Sequence, residues 1–218
     1  MQTRRNLAIA LLTAALLWMY MFSPWTHGAP NFWIVMSFSA VTLSALAISF
    51  LPDRRSLLKV ERPGVQLMAG IALAFLLWGV FWVGDKASAF LFDFARPQVD
   101  NVYAMKEGLP GWLIALLLLL LIGPAEELFW RGYVQRTLEQ VFFTSEENSA
   151  RSRNIAFALT AVIYALVHIW SFNFMLIMAA LVAGLVWGLC YRLNPKMLPA
   201  LIVSHAVWDA LVFIILPI

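Results

Sequence analysis

Long apolar runs, broken by short polar or Pro-bearing segments, recur seven times along the chain. A helix that crosses a bilayer needs ~20 mostly apolar residues. Runs of that kind cover residues 7–22, 32–51, 65–84, 111–135, 155–170, 174–191 and 197–218. Ser23-Pro24, Pro52-Asp53, Arg62-Pro63-Gly64 and Asn194-Pro195 stand at their boundaries, where proline cannot continue a helix without losing a hydrogen bond. The first run is short and follows Arg4 and Arg5, as the core of a secretory signal would. The stretch His27-Gly28-Ala29 makes a poor small-x-small cleavage site, so a retained helix is expected. Residues 85–110 are too polar to span and mix Phe90, Phe92, Phe94 and Tyr103 with charges. They fit either an amphipathic segment or gate at the interface, or an ordinary outer loop. Gly184-x-x-x-Gly188 predicts close helix packing and nothing more. The expected fold is all-α: a polytopic membrane helix bundle forming one membrane-embedded domain over 1–218. Residues 1–110 supply the N-terminal spans and outer loop, and 111–218 the core helices with the candidate chemistry.

Composition agrees with this pattern. Soluble domains are typically ~45–50% apolar and about 25% charged, whereas this chain is 62% hydrophobic and 12% charged, with a mean hydropathy of +0.81. The net charge of +3 is small, and the placement of the charges is more informative. With a cytoplasmic N-terminus, Arg4, Arg5, Arg54, Arg55, Lys59, Arg62, Arg131, Arg136, Arg151, Arg153, Arg192 and Lys196 fall inside, which is 12 of the 15 basic residues. Lys86, Arg96 and Lys106 fall outside, in accord with the positive-inside rule. Seven spans then put the C-terminus outside. The single cysteine, Cys190, excludes an intrachain disulfide and reads as a small packing residue. The lipid bilayer is the expected partner at this level, with no nucleic acid.

Ionisable residues within spans are costly and usually functional. Here they are Glu126, Glu127 and Arg131 on the fourth run, His168 on the fifth, and His205 and Asp209 on the seventh. Glu127 and Arg131 are four apart, in the favourable order for a pair. Glu126 lies ~100° round the helix and is left without that partner. Gly123-Pro124 just before it predicts a break or kink. His205-x-x-x-Asp209 lets Asp209 hold one ring nitrogen of His205. His27, the third histidine, belongs to the first loop. At 1.5 Å per residue, His205 lies ~12 Å, Glu126 ~14 Å and His168 ~20 Å from the inner face. These depths are compatible if His168's helix tilts or begins inside a cavity.

A Glu and a His sharing one water supply a base and an acid for amide hydrolysis, and a second His supplies a donor for the oxyanion. No Ser-His-Asp set is available, because Ser204 and His205 are adjacent and diverge on a helix, and no His-Glu-x-x-His motif occurs. Glu126, His168 and His205 would also make a three-ligand site for zinc with an open water position. The sequence leaves metal-free and metal-bound water as alternatives.

Glu126-Glu127-x-x-x-Arg131, Tyr164-x-x-x-His168 and His205-x-x-x-Asp209, in that order on hydrophobic helices, resemble the motifs of the CPBP family. That family includes type II CAAX prenyl endopeptidases and bacterial Abi proteins linked to bacteriocin self-immunity. The string from Gly123 to Gly132 is very like its first motif, and the resemblance covers residues 111–218. It implies a glutamate-dependent intramembrane endopeptidase without a cofactor. Glu126 would be the base, His168 would share its water, His205 and Asp209 would serve the oxyanion, and Glu127 and Arg131 would support them. Two positions depart from the pattern. Tyr164 stands where Phe is usual, and its hydroxyl can add a hydrogen bond. Asp209 stands where the family has Asn or Asp, and as Asp it is assigned to orienting His205. The expected protein is thus a peptidase of the bacterial inner membrane acting on secreted or membrane-anchored peptides. The rivals are a non-enzymatic immunity or scaffold protein of the same fold and a proton-coupled transporter.

Overall fold

Seven helices long and apolar enough to cross a membrane make up most of the computed structural model, which describes residues 2–26, 31–142 and 149–218. They are α1 (Gln2–Phe22), α2 (Phe32–Phe50), α3 (Pro63–Leu91), α5 (Gly111–Phe142), α6 (Ala150–Ser171), α7 (Phe174–Leu193) and α8 (Pro195–Ile215). A short helix, α4 (Ala95–Ala104), lies between α3 and α5. No strand occurs among the described residues. The chain is a multi-pass membrane protein, and all seven expected spans are present. His27 and the stretch His27-Gly28-Ala29 lie outside the described residues.

Two boundaries differ from expectation. The third span runs past Gly84 to Leu91 and absorbs the first part of the expected loop. Asp85 can continue that helix because its buried carboxylate is matched by Lys86 Nζ and Arg96 Nη1, each at 3.0 Å. The remainder contains α4, so it is not a plain loop throughout. In α5, Gly123-Pro124 neither breaks nor stops the helix. The rod is wound more widely, as π-helix, over Leu118–Ile122 and Leu128–Gln135. Such widening accommodates a residue without an N–H while the helix continues.

Successive spans alternate in direction, which gives the bundle two chemically different ends. At one end, Lys196 Nζ meets Glu61 at 3.1 Å, Gln66 Nε2 donates to Lys196 O at 2.9 Å, and Arg192 Nε donates to Asn154 Oδ1. This is the basic end. At the other, α4 is strapped across several helices. Asn173 Nδ2 donates to Gln98 O at 2.7 Å, Tyr103 Oη to Val212 O at 3.0 Å, and Trp33 Nε1 to Met105 O at 2.9 Å.

Small residues set the tightest helix contacts, as is usual where lipid gives no hydrophobic drive between helices. A Cβ on Gly70 would stand 2.5 Å from Ala200 O, so α3 and α8 meet backbone to backbone. A Cβ on Gly123 would stand 2.7 Å from Ala206 Cα, which brings α5 onto α8 one turn from Glu126. Gly184 and Gly188 play the expected packing part: added Cβ atoms would lie 3.1 Å from Tyr164 Cδ1 and 3.0 Å from Phe157 Cδ2 on α6.

Candidate active site

The close approach of α5 to α8 lets Glu127 reach across to His205. Glu127 Oε1 accepts from Arg131 Nη1 at 2.7 Å and lies 2.8 Å from His205 Nδ1. Glu127 and Arg131 are both 0% exposed. The expected i,i+4 pair is therefore formed, and the carboxylate also takes a second partner that the sequence had given to Asp209. Asp209 Oδ2 stands 3.6 Å from His205 Nε2, outside hydrogen-bond reach. Across a helix contact Glu127 meets the ring nitrogen head on, whereas Asp209 on the same helix only approaches the opposite edge. Facing a carboxylate, Nδ1 is the protonated nitrogen, and Nε2 is turned to Asp209.

Two aromatic residues complete this half of the site. Trp187 on α7 stacks on His205, with ring centroids 4.0 Å apart and planes at 19°, and its Nε1 donates to Ser204 Oγ at 3.0 Å. The Arg131 guanidinium lies over Trp187 at 5.4 Å and over Tyr164 at 5.1 Å, so the buried cation sits between two π faces as well as on Glu127.

Glu126 has a different environment. Tyr164 Oη donates to Glu126 Oε2 at 2.9 Å. Oε1 takes no hydrogen bond among the described residues. The departure from Phe at position 164 thus makes the hydrogen bond foreseen for it. His168 sits in a 3₁₀ turn, Val167–Ser171, that ends α6, with Phe172 following at φ +50°. Its Nδ1 lies 2.8 Å from Tyr164 O, and its Nε2 accepts from Trp18 Nε1 at 3.1 Å. That pattern fixes the neutral ring with the proton on Nδ1, and both nitrogens are engaged.

Glu126, Tyr164, His168, His205 and Asp209 all line one cavity of about 460 Å³. Glu127 and Arg131 lie behind it. Apart from these groups the wall is mostly apolar, with Trp33, Phe92, Met178 and Phe213 among its members. The cavity occupies only the half of the bundle toward α4. Below Glu126 and His205 the core is closed by Leu77, Trp130, Trp187 and Leu201, none more than 1% exposed.

The sequence did not single out Trp18 or Trp187. Both are tryptophans in apolar runs of a chain with 10 of them, so nothing local marked them. Trp18 comes from the first span, which the sequence treated only as a hydrophobic helix.

The donors do not suit the zinc arrangement considered above. His168 has both ring nitrogens engaged, and no three His, Cys, Asp or Glu side chains among the described residues are grouped to hold a metal ion.

Residues 108–211 match the family described as type II CAAX prenyl endopeptidase Rce1-like. No curated protein and no solved structure matches the chain. The matched region takes in α5 to α7 and α8 as far as Leu211, and with them Glu126, Glu127, Arg131, Tyr164, His168, His205 and Asp209.

Proposed function

We propose, for a chain that belongs through residues 108–211 to the Rce1-like type II CAAX prenyl endopeptidase family of intramembrane proteases, a glutamate-dependent, metal-free hydrolysis of peptide bonds. One observation carries this reading. Glu126, held on Oε2 by Tyr164, lines a cavity that it shares with His205 and His168.

A water beside Glu126 loses its proton to the carboxylate as its oxygen attacks the scissile carbonyl carbon. Charge develops on the carbonyl oxygen, and His205, with Nδ1 donated to Glu127 and its ring protonated, offers Nε2–H to it. Asp209 stands beside that nitrogen and steadies the positive ring. The C–N bond then breaks as Glu126 hands its proton to the leaving amine, and the carboxylate is restored. His168 joins the water when the Trp18 indole yields Nε2. Glu127 and Arg131 do no chemistry: they hold His205 at its angle. The ordered donors and the mostly apolar wall, closed below Glu126 and His205, support this scheme, because such groups stabilise developing charge best where bulk water is kept away.

The substrates would be secreted or membrane-anchored peptides and proteins, and the location the bacterial cytoplasmic membrane. The test uses purified protein in detergent with a panel of apolar fluorogenic peptides. Cleavage by the natural sequence, abolished in Glu126→Gln with the fold retained, is the expected result. Cleavage that persists in Glu126→Gln, or a cellular phenotype indifferent to that change, supports a scaffold or immunity role instead.

A further inference from the structure

The wall of the cavity has a direction. Along α3 it begins at Val80 and ends at Phe92, with no contribution from 63–79. Along α7 it uses Phe174 to Ala183 and nothing nearer Leu193. Along α5 it stops at Glu126, and along α8 it starts at His205. Phe22 at the end of α1 and Phe32 at the start of α2 contribute from the same side. Every contributing segment is the half of its helix that points to the α4 end. Toward the basic end the fully buried Trp130, Trp187 and Leu201 close the way.

The two ends also differ in charge. Arg4, Arg5, Arg54, Arg55, Lys59, Arg62, Arg136, Arg151, Arg153, Arg192 and Lys196 belong to the closed end, while only Lys86, Arg96 and Lys106 belong to the α4 end. The remaining basic residue, Arg131, is buried on Glu127. Lysine and arginine concentrate on the cytoplasmic side of membrane proteins. The α4 end carries Asp85, Asp93, Asp100 and Glu107 against those three cations, so its excess is acidic.

We infer that the site is entered from the non-cytoplasmic face, past α4, by an extended apolar segment of an exported or outward-facing polypeptide. The wall from Val80 to Phe92 spans twelve residue steps, about 18 Å at 1.5 Å per residue. An extended chain covers that depth with about five or six residues. Between Asp85, Ser88 and Tyr103 toward the α4 end and the Glu126 floor the wall is mostly apolar, so a largely apolar segment suits it, and a charge carried down to that depth would be costly to bury. The direction of entry stands on the fold and the placement of the basic residues; only the nature of the substrate rests on the peptidase reading.

Impermeant thiol labelling tests both. In a Cys190→Ala background, Glu107→Cys reports the α4 end, Lys59→Cys the basic end, and Met178→Cys the cavity wall. In intact bacteria a membrane-impermeant maleimide is expected to label Glu107→Cys and Met178→Cys, and to reach Lys59→Cys only after permeabilisation. Full labelling of all three in denaturing detergent counts the chains present. The inference is overturned if Lys59→Cys reacts in intact cells, if Met178→Cys follows Lys59→Cys, or if Met178→Cys stays unreacted from either face. In sealed vesicles of known orientation, an apolar peptide should be cleaved only when supplied on the Glu107 side. Cleavage only from the Lys59 side would sink the proposed entry while leaving the peptidase reading intact. Absence of cleavage even in detergent would sink the peptidase reading, and the labelling would still decide the direction.

Discussion

Glu126 and Glu127 are neighbours in sequence, yet the same substitution should affect them in opposite ways. In Glu127→Gln the carboxylate that receives Arg131 at 2.7 Å and His205 at 2.8 Å becomes a neutral amide. Arg131 is 0% exposed and then loses the carboxylate in direct contact with it; its other hydrogen bond runs from Nη2 to Gly184 O at 3.4 Å. Removing one partner of a buried ion pair costs about 3–5 kcal/mol, because it leaves the other charge uncompensated. Gln keeps an acceptor oxygen and can still take one neutral hydrogen bond worth about 1 kcal/mol, which points to the lower half of that range, about 3 kcal/mol. For a chain of this length that corresponds to a fall in Tm of roughly 6–12 °C. Glu126→Gln retains the Tyr164 contact through its amide oxygen and strands no cation, so its Tm should stay within about 2 °C, an effect below 1 kcal/mol. The assay is thermal unfolding of the purified variants in one detergent, followed by intrinsic tryptophan fluorescence, with peptide cleavage measured on the same samples. Glu126→Gln should be stable and inactive. Glu127→Gln should be destabilised, with activity reduced through a misplaced His205. Adding Arg131→Met to Glu127→Gln should recover much of the lost stability without recovering activity, since a buried pair can be replaced by apolar groups at little cost. Equal Tm values for the two single variants, or no recovery in the double variant, would refute the division of labour between the two glutamates.

Three further outcomes are expected. Tyr164→Phe removes the hydroxyl that steadies Glu126 and leaves the ring against Arg131, so kcat should fall by up to about tenfold, equivalent to about 1.4 kcal/mol, with KM unchanged; a change confined to KM would place Tyr164 in substrate binding instead. Trp18→Phe strips the donor from His168 Nε2, and thermal unfolding should show a loss of about 1–3 kcal/mol, the usual cost of stranding a buried acceptor; unchanged stability together with unchanged kcat would make that contact idle. Chelating agents should leave peptide cleavage essentially intact, and elemental analysis of active protein should find no stoichiometric zinc; one zinc per chain, with activity that follows it, would overturn the metal-free scheme.

The seven spans were legible because membrane helices announce themselves: sustained apolar runs have no other solvent, and prolines and charges mark their ends. The candidate side chains were legible for the complementary reason, since a charge inside such a run is costly and only a few occur. The Glu127–Arg131 pair followed from helical spacing alone. What the sequence could not supply was everything that crosses between helices. Spacing favoured Asp209 as the partner of His205, but contact between α5 and α8 at Gly123 and Ala206 gave that role to Glu127. The same limit concealed Trp18 and Trp187, whose importance lies in what they touch 150 and 18 residues away. It also hid the closed floor of the cavity, because depth along one helix says nothing about which of its two halves the neighbours fill. Periodicity and charge are properties of a single rod and can be read in order along the chain. Contacts, voids and the direction of an opening depend on the relative rotation and depth of several rods, and only their packing fixes those.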